Sequence, residues 1–198
     1  RNYDDENQLG QEETPEEFVS KLVDIFREIK RVLKEDGTVW VNIGDTYFGA
    51  KGGHFDSDNS ITQGESGSEY RMHRKAPPKH EYLKIKDIVG IPWMFAVAMQ
   101  RDGWYLRQDI IWHKPVPMPE AVNDRFQKSH EHIFLFSIKK NYYFDTAAVS
   151  LPKKEGEGWV RRHDVWDIPT TNFQGAHFAV FPQKLPELCM KASTKEND

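Results

Sequence analysis

TPEEFVSKLVDIFREIKRVLKEDGTVWVNIGD, residues 14–45, carries the first decision about this chain. Thr14 is placed to cap a helix, Pro15 takes its first position, and Glu17 stands three residues after the cap, where its carboxylate can reach back to the capping backbone. Phe18, Leu22, Ile25, Phe26, Ile29 and Leu33 then recur at helical spacing on one face. Lys30, Arg31 and Lys34 suit the negative end of the helix dipole, and Gly37 ends the helix. Thr38-Val39-Trp40-Val41-Asn42-Ile43 follows at once, β-branched and aromatic, and reads as a buried strand that stops at Gly44-Asp45. A helix feeding directly into a strand is half of an α/β unit.

The pattern repeats toward the C-terminus. Residues 49–84 are long, polar and rich in glycine, a flexible insertion. Asp87 to Gln100 reads as an apolar helix with Pro92 at or near its start, and Gly103 ends it. Tyr105 to Trp112 forms a second strand. His113-Lys114-Pro115-Val116-Pro117-Met118-Pro119 is a loop that its prolines keep out of any central strand. Glu131 to Ser137 is a third strand. Residues 146–164 are basic and irregular, Asp164 to Pro169 is extended, and Pro182 to Lys191 reads as a short helix weakened by Pro186. Helix and strand in alternation imply an α/β fold with an open, mostly parallel sheet. The short link between the second and third strands puts one antiparallel strand at the edge. Residues 1–145 form the core around the 49–84 insertion, 146–165 a short separate segment, and 166–198 a return to the core.

Composition narrows the class. At 198 residues, 38% hydrophobic and 29% charged, the chain suits one globular domain. No apolar run approaches the roughly 20 residues of a membrane-spanning helix, and the N-terminus lacks a signal-peptide pattern, so no membrane association and a cytoplasmic location are expected. The single cysteine, Cys189, cannot close an internal disulfide, and on an apolar helix face it reads as core. The eight histidines show no metal-ligand spacing, so no metal is expected. The net charge of −4 hides an asymmetry: residues 1–36 hold eleven Asp/Glu against six Lys/Arg. The rest is slightly basic, with Arg71, Arg74 and Lys75 in one cluster and Lys153, Lys154, Arg161 and Arg162 in another. Both are candidates for phosphate contact and equally well solvated surface.

Four stretches in order resemble the N4-cytosine/N6-adenine DNA methyltransferases: Gly37 to Tyr47 with its preceding helix; Gly90-Ile91-Pro92-Trp93 and Asp102 to Arg107; Asp109 to Glu120 followed by Lys128-Ser129-His130-Glu131; and Gly175 to Pro182. The resemblance implies a partial Rossmann-like methyltransferase fold, S-adenosyl-L-methionine as cofactor, double-stranded DNA as partner, and a place in DNA methylation and restriction-modification. It covers most of the chain outside 49–84 and 146–163. The family's catalytic tetrapeptide, a Ser, Asp or Asn followed by Pro-Pro-Tyr, and its glycine-rich cofactor motif are both absent. In the subgroup with the catalytic motif first, this chain fits between the two. It reads as an internal fragment, inactive alone, with exposed sheet edges and apolar faces at Trp40, Ile111 and Phe134 that favour self-association.

Within that resemblance, Asp45, Tyr47, His113 and Lys114 are candidates for the pocket of an extruded base, because open α/β sheets bind ligands at strand ends. For Asp45 a turn or helix cap is an equal alternative, and for Tyr47 and the adjacent Phe48 a core role is the commoner one. Ser129, His130 and Glu131 open the third strand with a structural hydrogen-bonding role. His177, Ala179 and Phe181 match the segment that lines the cofactor in the family. The segment 146–165 falls where the family reads its target sequence. A rival reading is a non-catalytic DNA-binding module with a methyltransferase-like fold. A dinucleotide-dependent oxidoreductase is disfavoured, since no strand here runs into G-x-G-x-x-G.

Overall fold

The computed structural model describes residues 8–49, 79–171 and 180–195. Arg71, Arg74, Lys75, His177, Ala179 and most of the 49–84 insertion lie outside them.

Helix α1 spans Pro15–Val32, with Thr14 Oγ1 accepting from the Glu17 backbone N–H at its start, as the capping pattern requires. Phe18, Leu22, Phe26 and Leu33 of the expected stripe pack against the core. Val19 and Val23 are the helix's most buried residues, whereas Ile25 is 43% exposed. The apolar stripe is wider than the face that packs, and contact with the second helix selects its edge. Strand β1 is Thr38–Ile43, helix α2 Ile91–Arg101, strand β2 Tyr105–His113, and strand β3 His130–Ser137. Pro92 lies in the first turn of α2, where a missing N–H costs nothing. Two short strands, β4 (Leu151–Pro152) and β5 (Trp159–Val160), form a hairpin within the basic segment. Strand β6 is Val165–Asp167, and helix α3 is Lys184–Ser193. Pro186 sits in the first turn of α3, so it does not weaken the helix as the sequence suggested.

The sheet corrects the expected topology. Its order is β1-β3-β2-β6, and β3 runs antiparallel to both β1 and β2. Only β2 and β6 pair in parallel. The antiparallel strand is therefore interior, not at the edge, and the hydrogen-bonded pairs are mostly antiparallel. The cause is the crossover through α2, which returns β2 parallel to β1 but one strand-width away. β3 then folds back into the slot. Its run Ile133-Phe134-Leu135-Phe136 is buried on both faces, as an interior strand demands.

Two apolar layers cover the sheet. On one face α1 and α2 pack on Phe134, Phe136 and Trp104, with Phe26 and Phe95 rings 5.2 Å apart. On the other, α3 sets Leu185 and Leu188 against Ile110, Trp112, Ile133 and Trp166. Phe134 is thus 1% exposed, contrary to the expected open apolar face there. Ile111 and Trp40 are half-buried, the latter donating its indole N–H to Ser193 of α3. The free edge of β1 has no strand beside it among the described residues. The last residues of the 49–84 insertion are anchored on α1: Glu16 accepts from the Tyr82 hydroxyl at 2.6 Å and pairs with His80 at 3.1 Å.

Candidate functional site at the strand ends

Register decides whether the candidate residues can meet. Ile43 of β1 and Ile111 of β2 both lie opposite His132 of β3, so β1 and β2 release the chain at the same edge of the sheet. Gly44-Asp45 and His113-Lys114 emerge there, flanking the start of β3. This edge lies beyond the carboxyl ends of two parallel strands, where open α/β sheets place ligands.

Each side chain at this edge is held. The Asp45 carboxylate accepts from the backbone N–H groups of Gly90 (3.0 Å), Ile91 (3.1 Å) and Thr46 (2.9 Å). Gly90 precedes α2 at φ +85° and supplies no side chain of its own, so Asp45 caps the helix from a distant strand. Its backbone carbonyl accepts from Lys128 Nζ at 2.8 Å. Burial lowers the Lys128 pKa below its ordinary value, against the opposing pull of Asp45 and Glu131. Asp45→Ala leaves the N–H groups of Gly90 and Ile91 without their acceptor and is expected to cost about 1–2 kcal/mol, whereas Asp45→Asn, which keeps an acceptor oxygen, should lose much less. A urea midpoint unmoved by the alanine would refute the cap.

At the same edge, Glu131 holds two neighbours at once. One carboxylate oxygen accepts from Lys114 Nζ, and the other accepts from Asn42 Nδ2 at 3.1 Å. The Lys114 ammonium also lies 4.4 Å from the centre of the Trp112 ring, a cation–π contact. His113 Nδ1 and Asp167 Oδ1 of β6 are 2.6 Å apart. Trp112 Nε1 and the Ile168 backbone N–H tie β6 to β2 on the same side. His132 sits buried behind, its Nδ1 3.0 Å from Asp109 and its ring stacked on Phe134. Burial, reinforced by His132 and Lys128, lowers the pKa of His130 below its ordinary value. Tyr47 lies under the Arg125 guanidinium at 3.9 Å from its ring centre, while Phe48 is part of the core beneath α1 and α2.

The structure thus brings Asp45, Tyr47, His113 and Lys114 to one edge. Lys153, Lys154 and Arg161 are exposed on or beside the β4–β5 hairpin, and Arg162 is half-buried with its Nε donating to the Val149 carbonyl. Phe181, just before α3, is 56% exposed. Sequence reading missed Asn42, Lys128 and Asp167 as members of this constellation. An amide inside the largely apolar TVWVNI was the available signal for Asn42, whose amide reaches Glu131 and the His132 carbonyl on the neighbouring strand. Among the described residues no group of three or more His, Cys, Asp or Glu is placed to hold a metal ion.

The chain is an α/β domain: a mixed sheet covered on both faces, with polar side chains fixed at one edge beyond the ends of two parallel strands. Residues 2–198 match the family of N6/N4 DNA methylases, and the chain belongs to that family. It is 45% identical over 198 residues to the Type II methyltransferase M.Cfr9I of Citrobacter freundii, covering all of this chain and 63% of that protein. It is 43% identical over 196 residues to the Type II methyltransferase M.SmaI of Serratia marcescens, covering 98% of this chain and 65% of that protein. The chain thus spans somewhat under two thirds of these relatives. Among solved structures, the PvuII cytosine-N4-specific DNA methyltransferase superposes with a TM-score of 0.64 at 18% identity, over 96% of this chain and 59% of that one. A Thermus thermophilus protein solved in complex with S-adenosyl-L-methionine gives 0.53 at 20% identity, over 93% of this chain and 61% of that one. These two likenesses concern the fold.

Proposed function

We propose that this chain is the base-holding part of an enzyme that methylates an exocyclic amino nitrogen, cytosine N4 or adenine N6, in double-stranded DNA. The observation that carries the reading is the shared edge: β1 and β2, separated by β3, deliver Asp45 and His113-Lys114 to the same end of the sheet, on either side of the start of β3. Family membership supplies the chemistry that such an edge would serve.

An exocyclic amine is a weak nucleophile because its lone pair is delocalised into the ring, so positioning and preorganised electrostatics carry most of the rate effect. The target base leaves the stack at a cost of a few kcal/mol, which pocket contacts offset. Lys114 is the natural donor to a carbonyl or ring nitrogen of that base. Glu131 orients it and Asn42 orients Glu131, so the ammonium arrives with its direction set. Pairing with Asp167 fixes the imidazole plane of His113. Asp45 acts through position, by fastening the N-terminus of α2 to the cleft wall. Lys153, Lys154, Arg161 and Arg162 suit phosphates of the duplex, with 146–165 as a short target-reading segment. Arg71, Arg74 and Lys75 are proposed for the same role from sequence alone.

S-Adenosyl-L-methionine would supply an electrophilic methyl group on a sulfonium. The residues present fit it in part: Phe181 offers a ring 56% exposed, next to the segment containing His177 and Ala179. The hydrogen-bond acceptors of the family's catalytic tetrapeptide are not in this sequence. The chain alone is therefore expected to transfer no methyl. The test joins the chain to the flanking segments of the Citrobacter freundii relative and follows labelled methyl into DNA, with the modified base identified after digestion. The chimera is expected to methylate, and Lys114→Ala within it to lose at least about tenfold in rate. A folded, inactive chimera would overturn the proposed activity; incorporation by the unextended chain would overturn its fragment nature.

A further inference from the structure

On the α3 face of the sheet lies a cavity of about 310 Å³ that the strand-end cleft does not use. Ile110 and Leu135 form its floor, and Trp40, Tyr142, Phe144 and Trp166 its aromatic wall. The Trp40 ring lies 6.4 Å from Phe144 at 30° and 6.3 Å from Trp166 at 31°, so three rings follow one another with modest tilts. Neither indole needs a ligand for its N–H: Trp40 donates to Thr38 and Ser193, and Trp166 to the His163 carbonyl. The ring surface open to an entering molecule belongs chiefly to Trp40, Tyr142 and Phe144, since Trp166 is 7% exposed. The rim is basic. Arg161 and Arg162 stand over the opening with His163, and only Asp164 opposes them. Arg162 is fixed there by its Nε bond to the Val149 carbonyl, and the Arg161 guanidinium has no side-chain partner among the described residues. Arg107 lies over the outer side of Tyr142, 5.5 Å from its ring centre.

We propose that this cavity is a second nucleotide site, taking one unpaired base against the aromatic wall while Arg161 and Arg162 hold its phosphate. The volume sits at the lower end of small-ligand pockets, room for one base. Aromatic wall with basic rim is the combination by which proteins hold unpaired nucleotides without reading sequence. The site is separate from the strand-end cleft, because Ile110 lies three residues below His113 on β2, about 10 Å along the strand. The inference rests on the DNA-directed reading of the chain but not on methyl transfer. Its source is either a nucleotide of a locally unpaired strand or a free mononucleotide.

The test titrates the 198-residue chain with dCMP, dAMP, deoxycytidine, inorganic phosphate and a single-stranded oligothymidylate, following tryptophan fluorescence. Saturable quenching by the mononucleotides or the oligonucleotide is expected, with deoxycytidine binding at least about tenfold more weakly. Quenching by the oligonucleotide alone assigns the site to a strand, and comparable binding of dCMP assigns it to free nucleotides. Arg161→Gln, exposed and outside the core, should weaken nucleotide binding severalfold and leave deoxycytidine unchanged. Thr146→Phe, which fills the cavity while keeping every charge, should abolish both. No saturable binding, equal competition by inorganic phosphate, or affinities unchanged in both variants would each overturn the proposal. Displacement of the nucleotide by S-adenosyl-L-methionine would overturn it too, by making the cavity part of the cofactor site. Arg161 and Arg162 serve both readings, but the titration reads nucleotide binding and the chimera reads methyl transfer, so failure of one is distinguishable from failure of the other.

Discussion

Phe134→Ala is expected to destabilise the chain by about 3–5 kcal/mol, the usual cost of emptying an aromatic site that cannot collapse. Phe134 lies at the centre of β3, which is paired along its length with β1 on one side and β2 on the other. It is 1% exposed and opposite Val41 on β1 and Asp109 on β2. Its ring stacks on His132 at 5.7 Å and lies 6.1 Å from Phe136, beneath the layer formed by α1 and α2. None of these neighbours can move inward without breaking a ladder, so the cavity persists. A domain of this size has about 5–15 kcal/mol in total, which leaves the variant marginal. Phe126→Ala provides the control: its ring is 98% exposed, and its loss should move the unfolding free energy by less than about 0.5 kcal/mol. A stability for Phe134→Ala within about 1 kcal/mol of the parent, read by denaturant unfolding, would show that β3 is not the interior strand.

The same strand shows where sequence reading stopped. Periodicity locates elements one at a time, and α1, β1, α2, β2, β3 and α3 were all legible because each keeps its own period and punctuation. Strand order is a pairwise property. A short link between β2 and β3 predicts antiparallel neighbours, but not which side of β2 receives β3. The unbroken run Ile133-Phe134-Leu135-Phe136 held the answer, since an edge strand with one wet face would alternate. On α1 four of the six stripe residues, Phe18, Leu22, Phe26 and Leu33, pack against the core, and the deepest positions, Val19 and Val23, lie at the stripe's margin. At the site, the strand ends were readable but their side-chain pairings were not. Asn42 meets Glu131 across 89 residues, and Lys128 meets the Asp45 carbonyl across 83; register alone makes either contact. Asp45 had two readings of equal weight, and the distance to the N-terminus of α2 gives its carboxylate to the helix.

Cys189 provides the second large effect. The thiol lies on α3 against the cluster of Trp112, Trp166 and Leu188, and burial raises its pKa from the ordinary 9.0 to about 12. Only the thiolate attacks an alkylating agent, so a rise of that size corresponds to about a thousandfold less reactive form at pH 8. Steric cover on the half-buried side chain can only slow the reaction further. Iodoacetamide is therefore expected to label the folded chain at pH 8 at least about a hundredfold more slowly than the urea-unfolded chain. Mass spectrometry reads this without ambiguity, because the sequence has one cysteine. The pH dependence separates a raised pKa from simple shielding. Where burial sets the titration, the folded-state rate climbs about tenfold per pH unit from roughly 8 to 10 without levelling. A shielded thiol of ordinary acidity would bend over near pH 9 and level off by about pH 10, and that curvature would overturn the assignment of Cys189 to the core rather than to any nucleophilic role.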